Sequence, residues 1–258
     1  MSSQSINDNS FAHLPRETCD QPMATEAYAQ RFSGPIGQYL LGVQHRTTRR
    51  MFQPFSDATV LSLGGSHAQN APILADLGHH TTVLGSDERC AHLLRDLVAA
   101  GRCEFATGDY YHLPYEDRSF DVVITYRMLA HVQRVDKYLD EATRVADRGV
   151  VLEYPSSRSV NMLAPLLFGT KLKIEGNTRT FQTFSPAEID QHMARRGFVR
   201  TDRFAQFFWP MALHRAAHRV GLSRVLEAPA RWLRLTALFG SPIIARYERA
   251  DRNGSDAW

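Results

Sequence analysis

A glycine pair and two aspartates stand where this chain could hold a nucleoside. The apolar run Val60-Leu61-Ser62-Leu63 stops at Gly64-Gly65, and Ser66 opens a helix-compatible segment. A strand, a tight turn and a helix start in that order let the backbone approach a ligand and aim N–H groups at it. Asp87 follows Gly64 by 23 residues, directly after the β-branched run Thr81-Thr82-Val83-Leu84-Gly85. A carboxylate at the tip of a second strand can accept hydrogen bonds from a ribose diol, and with Glu88 beside it can also cap the next helix. Asp109 ends a third run, Cys103 to Thr107, and can accept from an exocyclic amine. Tyr110 and Tyr111 follow it and could flank a flat ring.

More reactive groups cluster after the next two strands. Tyr126 and Arg127 end Phe120-Asp121-Val122-Val123-Ile124-Thr125, and His131 lies four residues on. Glu153 and Tyr154 end Gly149-Val150-Val151-Leu152. His131 has the chemistry of a general base near neutral pH; packing explains it equally well. Asp121 reads as a strand starter.

The elements that must position these residues alternate at roughly 20–25 residue intervals, as βαβ units require. The expected fold class is α/β, a doubly wound, mostly parallel seven-stranded sheet. Residues 1–22 read as a mobile tail and 23–258 as a single domain. Within it, residues 23–55 form lid helices interrupted at Pro35, and 56–155 the ligand-binding half. Residues 156–258 shape the substrate site. A helix is expected from His67 to Leu77, another from Ser159 to Leu167, and a capped one from Ser185-Pro186-Ala187-Glu188. Strand six spans Phe198 to Phe208 and strand seven Ile243 to Tyr247. Between them lies a helical insertion at about 210–239, broken by Gly221 and Pro229, with five arginines against Glu227 alone.

Composition narrows the classes. At 258 residues, 43% hydrophobic and 22% charged, the chain is globular, and a net charge of +3 does not argue for nucleic acid. Three scattered cysteines suggest a reducing compartment, and the polar N-terminus lacks a signal-peptide core, so a cytoplasmic protein is expected. The histidines form no zinc pattern, so no metal is expected. Gly-x-Gly-x-x-Gly would need glycine at 66 and 69, where Ser66 and Gln69 stand, which disfavours a nicotinamide dehydrogenase.

Taken in order, these motifs resemble the class I S-adenosylmethionine-dependent methyltransferases, in particular small-molecule enzymes related to quinone-biosynthesis methyltransferases. The resemblance covers roughly residues 58–155, with a weaker echo to about 207. The run Leu113-Pro114-Tyr115-Glu116-Asp117-Arg118-Ser119-Phe120-Asp121-Val122-Val123 is its most specific part, followed by Leu129-Ala130-His131-Val132, Glu141 and Arg144-Val145. The first motif departs from the family: Ser62 replaces an acid, and Ser66 and Ala68 replace glycines.

The resemblance implies S-adenosyl-L-methionine as cofactor, held by Gly64, Gly65, Ser66, Asp87, Glu88, Asp109, Tyr110, Tyr126 and Arg127. His131 and Tyr126 are the candidate catalytic residues. The implied acceptor is a small aromatic or lipophilic molecule, in a pocket shaped by Tyr154, Asn161, Arg179, Phe181, Phe184, Phe207, Phe208, Trp209 and His214. The alternative is a degenerate member that binds without transferring a methyl group. The Arg-rich insertion could touch a membrane surface or pack on a partner subunit, and the protein is expected as a monomer or homodimer.

Overall fold

The computed structural model describes residues 16–159 and 181–250. Seven strands form one sheet in the order β3-β2-β1-β4-β5-β7-β6. They are β1 (Thr59–Leu63), β2 (His80–Gly85), β3 (Glu104–Thr107), β4 (Phe120–Thr125), β5 (Ala146–Tyr154), β6 (Phe198–Ala205) and β7 (Ile243–Arg249). β1 to β5 run parallel, whereas β7 pairs antiparallel with both β5 and β6. The strand order reverses between β1 and β4, so the crevice at their carboxyl ends is where a doubly wound sheet binds ligands.

The central strands are apolar on both faces because helices cover both. Leu61, Leu63, Val123, Val150 and Leu152 face one buried cluster, and Val60, Val122, Ile124 and Val151 face another with Met51 and Phe52. Asp121 starts β4 as expected: its carboxylate accepts from the Thr59 N–H and hydroxyl and so ties β4 to β1. The Leu113-Pro114 run is pinned from α5 (Val135–Val145). Glu141 accepts from the Leu113 N–H, and Arg144 donates to the Leu113 and Tyr115 carbonyls. These contacts fix the loop that follows Asp109.

Several elements differ from their expected form. Pro35 does not interrupt a helix; it occupies the first turn of α2 (Gly34–Phe52), where its missing N–H costs nothing. A short helix, α1 (Glu26–Ala29), and a 3-10 turn precede it. The helix expected from His67 is a 3-10 turn, Gly65–His67, followed by α3 (Ala71–Asp76). The helix after Asp87 is mostly 3-10, Glu88–Leu94, continued by α4 (Arg95–Ala99). Ser185 caps α6 (Pro186–Ala194) with the full reciprocal capping box.

The insertion holds three helices: α7 (Met211–Ala217), α8 (Val220–Trp232) and α9 (Leu235–Phe239). Gly221 and Pro229 both lie inside α8 and do not break it. The breaks fall at His218 and Arg234, both in the left-handed conformation. Pro229 removes one helical N–H bond, a loss that tertiary packing outweighs here. The helix expected at 159–167 lies outside the described residues.

The tail expected over residues 1–22 is not a tail throughout. From Glu17 the chain packs into the molecule, with Glu17, Cys19, Asp20 and Met23 all buried. Its contacts are with residues 65 to 116 positions away in sequence, which no local pattern announces.

Candidate active site

The candidate residues converge on the carboxyl edge of the parallel strands. Gly64 follows β1 with φ +67°, and a side chain there would strike the Met128 sulfur. Gly65 is equally confined, because a Cβ would meet the Ser62 hydroxyl. Ser62, in the place of the family's acid, thus packs beneath the loop. Ser66 lies within the following 3-10 turn.

Asp87, Glu88, Gly108 and Asp109 line one open cavity of about 630 Å3, together with Arg16, Ser86, His112 and Pro114. Asp87 accepts from the Arg89 N–H and from its guanidinium. The Arg89 side chain and N–H hold its carboxyl well down, at about 2, so it is ionised at neutral pH. Asp109 accepts from the Tyr111 N–H, which fixes its carboxylate at the cavity wall.

A second cavity of about 430 Å3 opens at the ends of β4 and β5. Arg127, His131 and Glu153 line it, with Tyr28 and Phe32 from the N-terminal helices, Phe181, and Met211 and Arg215 from α7. Arg127 has φ +65°, donates to Gln44 and lies 4.4 Å above the Phe32 ring. His131 meets Phe181 edge-on at 5.8 Å. Glu153 is buried and accepts from the Gln206 amide at 2.6 Å.

Two expected site residues are placed elsewhere. Tyr126 turns away from both cavities: its buried hydroxyl meets Thr48 at 3.1 Å, and burial pushes its pKa far up. It is not poised for proton transfer. Tyr110 points inward rather than along the cavity that holds Asp87 and Asp109. Its hydroxyl donates to Asp20 and lies 3.2 Å from the Leu84 carbonyl oxygen, and burial raises its pKa well above 10.

Most aromatics expected around the acceptor are also core residues. Tyr154 and Phe184 pack in the main cluster, and Phe207 packs with Ile36, Leu40 and Val43 of α2. His214 is buried against Glu227. Phe208 and Trp209 anchor α8 by donating to Glu227. Of that set, Phe181 alone lines the cavity among the described residues; Asn161 and Arg179 lie outside them.

Sequence reasoning missed the residues that pack against the loops after β1 and β2. Asp20, fully buried, accepts from the Ser86 N–H and the Tyr110 hydroxyl. Cys19 lies 3.9 Å from the Met128 sulfur, and Met23 packs in the same cluster as Leu63, Leu84 and Met128. Glu17 accepts from Tyr111 and the Gln133 N–H. Residues 19–23 therefore pack against Met128, Ser86 and the Gly65–His67 turn. His67 was also missed: it stacks on Tyr28, and burial drives its pKa down to about 3.

Residues 61–152 match the family described as "Methyltransferase domain". The stretch from β1 to β5 thus carries a methyltransferase domain. A 56-residue stretch is 41% identical to norajmaline N-methyltransferase of Rauvolfia serpentina, covering 20% of this chain and 19% of that protein. The chain thus matches about a fifth of that relative's length. Among solved structures, magnesium protoporphyrin IX methyltransferase of Synechocystis shares the fold at 14% identity and a TM-score of 0.56, over 84% of this chain and 88% of that one. A putative methyltransferase of Bacillus halodurans does so at 13% and 0.58, over 80% and 98%. The [4+2]-cyclase SpnF also matches, at 16% and 0.55, over 80% of each chain. The fold alone therefore does not choose the acceptor.

The residues present fit the cofactor at its nucleoside end. Asp87 and Asp109 offer acceptor oxygens on one cavity wall, and Gly64 and Gly65 leave no room for side chains at the turn after β1. The turn itself is covered by residues 19–23.

Proposed function

We propose that this protein transfers a methyl group from S-adenosylmethionine to a small aromatic or lipophilic acceptor. One observation carries the reading: the carboxyl edge of the parallel strands holds a cavity walled by the carboxylates that follow β2 and β3, and a second one at the ends of β4 and β5 walled by Tyr28, Phe32 and Phe181. In this reading Asp87 holds the ribose, Asp109 the adenine amine, and the Gly64-Gly65 turn the methionine end. Residues 19–23 shift when the cofactor binds.

When bound, the sulfonium supplies an already activated methyl group. The protein's task is then to align the acceptor and exclude water. The exposed Phe181 ring offers a face to a flat acceptor, and Arg127 and Arg215 lie over the buried Phe32 ring. His131 is the group in the acceptor cavity suited to take a proton from a phenol or ammonium before attack. Tyr126 has no part in this.

Calorimetry with S-adenosylmethionine and S-adenosylhomocysteine tests the proposal. Binding of both is expected, and Asp87→Ala should weaken it about tenfold or more. No binding at millimolar ligand would sink the enzyme reading. Binding without transfer to any aromatic acceptor would instead favour a member that binds only.

A further inference from the structure

The insertion carries an amphipathic helix whose apolar face looks outward. In α8 the positions turned to the protein are Ser223, Glu227 and Ala230, all buried. Glu227 accepts from the Phe208 and Trp209 N–H groups and lies 3.2 Å from His214. Burial alone would raise its pKa, yet these partners hold it lowered. The helix is thus anchored through a polar inner face.

The outer stripe is Leu222, Val225, Leu226, Pro229, Trp232 and Leu233, spaced three and four apart. Trp232 is 83% exposed and Val225 66%, and Leu238 and Phe239 of α9 extend the exposed apolar surface. Such a stripe normally points into a core. Here the anchoring carboxylate prevents the helix from rolling over, because Glu227 would lose its partners.

Charge selects what covers this face. Arg219, Arg224 and Arg234 flank the stripe, while Arg231 turns inward to the Gln206 carbonyl and to Glu227, the insertion's lone acid, which is buried. A second copy docked by a two-fold axis would bring arginines against arginines. An anionic lipid surface matches both features, apolar stripe and basic flanks, and exposed Trp suits the interfacial layer. We propose that α8 and α9 seat the protein on an anionic membrane surface. Met211 and Arg215 of α7, in the same insertion, line the acceptor cavity, so docking places that cavity beside a reservoir of lipophilic molecules.

The test uses the full chain and needs neither cofactor nor acceptor, so it stands apart from the proposed activity. Sedimentation is measured with phosphatidylcholine vesicles and with vesicles containing about 30% phosphatidylglycerol. Binding to the anionic vesicles is expected at least about tenfold tighter, with a blue shift of emission that Trp232→Phe removes. Arg219→Gln and Arg234→Gln should each weaken it about fivefold. The pair Leu222→Gln with Leu233→Gln should abolish it while the melting temperature holds, since both side chains are exposed. Equal binding to neutral vesicles, or no vesicle binding, overturns the proposal. So does a dimer in solution that the same leucine pair dissociates without any vesicle binding.

Discussion

Asp20→Ala separates stability from cofactor affinity, and the two should move in opposite directions. The carboxylate is fully buried and accepts at 2.9 Å from the Ser86 N–H and at 2.8 Å from the Tyr110 hydroxyl. Removing it strands the Ser86 N–H, whereas the Tyr110 hydroxyl keeps the Leu84 carbonyl at 3.2 Å. One stranded buried donor costs about 1–3 kcal/mol. The unpartnered Asp20 Oδ1 is removed with it, which places the net cost near the lower end. For a chain of this size, each kcal/mol lowers the melting temperature by about 2–4 °C. The same loss weakens the closed arrangement of residues 19–23. If the cofactor binds only after they shift, its apparent affinity rises by the corresponding factor, about tenfold per 1.4 kcal/mol. Differential scanning fluorimetry gives the first quantity and calorimetry with S-adenosylhomocysteine the second. An affinity that falls together with stability would refute the reasoning and make Asp20 part of the binding surface.

Other perturbations test single contacts. His67 is held neutral by burial, with a pKa of about 3, while the unfolded chain takes up a proton below about 6.5. Stability should therefore decline as pH falls from 6.5 toward 3, by up to about 1.4 kcal/mol per unit, and His67→Asn should flatten the slope in acid denaturation curves. Gly64→Ala meets both a left-handed backbone and the Met128 sulfur. It should cost about 1–3 kcal/mol in urea unfolding and also weaken cofactor binding. With a phenolic acceptor, His131→Gln should lower kcat about 100-fold and remove the acidic limb of the pH–rate profile. An unchanged profile would assign proton removal to solvent.

What was legible in the sequence is what local pattern encodes. Each strand of the parallel half announces itself by an apolar run, and each site carboxylate by its place just after one. Asp87, Glu88 and Asp109 line a common cavity for that reason. Side-chain direction was not legible. Tyr126 and Tyr110 follow strand ends as site residues do, but their rings turn into the core toward Thr48 and Asp20, partners far away in sequence. Residues 17–22 read as part of a polar tail because their carboxylates find buried donors only after the sheet is assembled. In the insertion the helical period was visible, whereas the face turned to the sheet was set by Glu227 reaching the Phe208 and Trp209 N–H groups.

The ends of that insertion meet. Gln206 donates its N–H to the Pro242 carbonyl, and Ser241 donates to that of Phe207, continuing the β6–β7 ladder to the point of departure. The excursion from 208 to 240 is thus closed at its base by the sheet itself. Its chain entropy is a loop-closure quantity that grows only slowly with length. The segment can be shortened, exchanged for that of a relative, or replaced by a tight hairpin turn without breaking a strand pair. Such chimaeras would exchange Met211 and Arg215 in the wall of the 430 Å3 cavity together with the outer surface, while leaving Gly64, Asp87 and Asp109 in place. The architecture makes that part of the cavity wall and the outer surface replaceable as one unit.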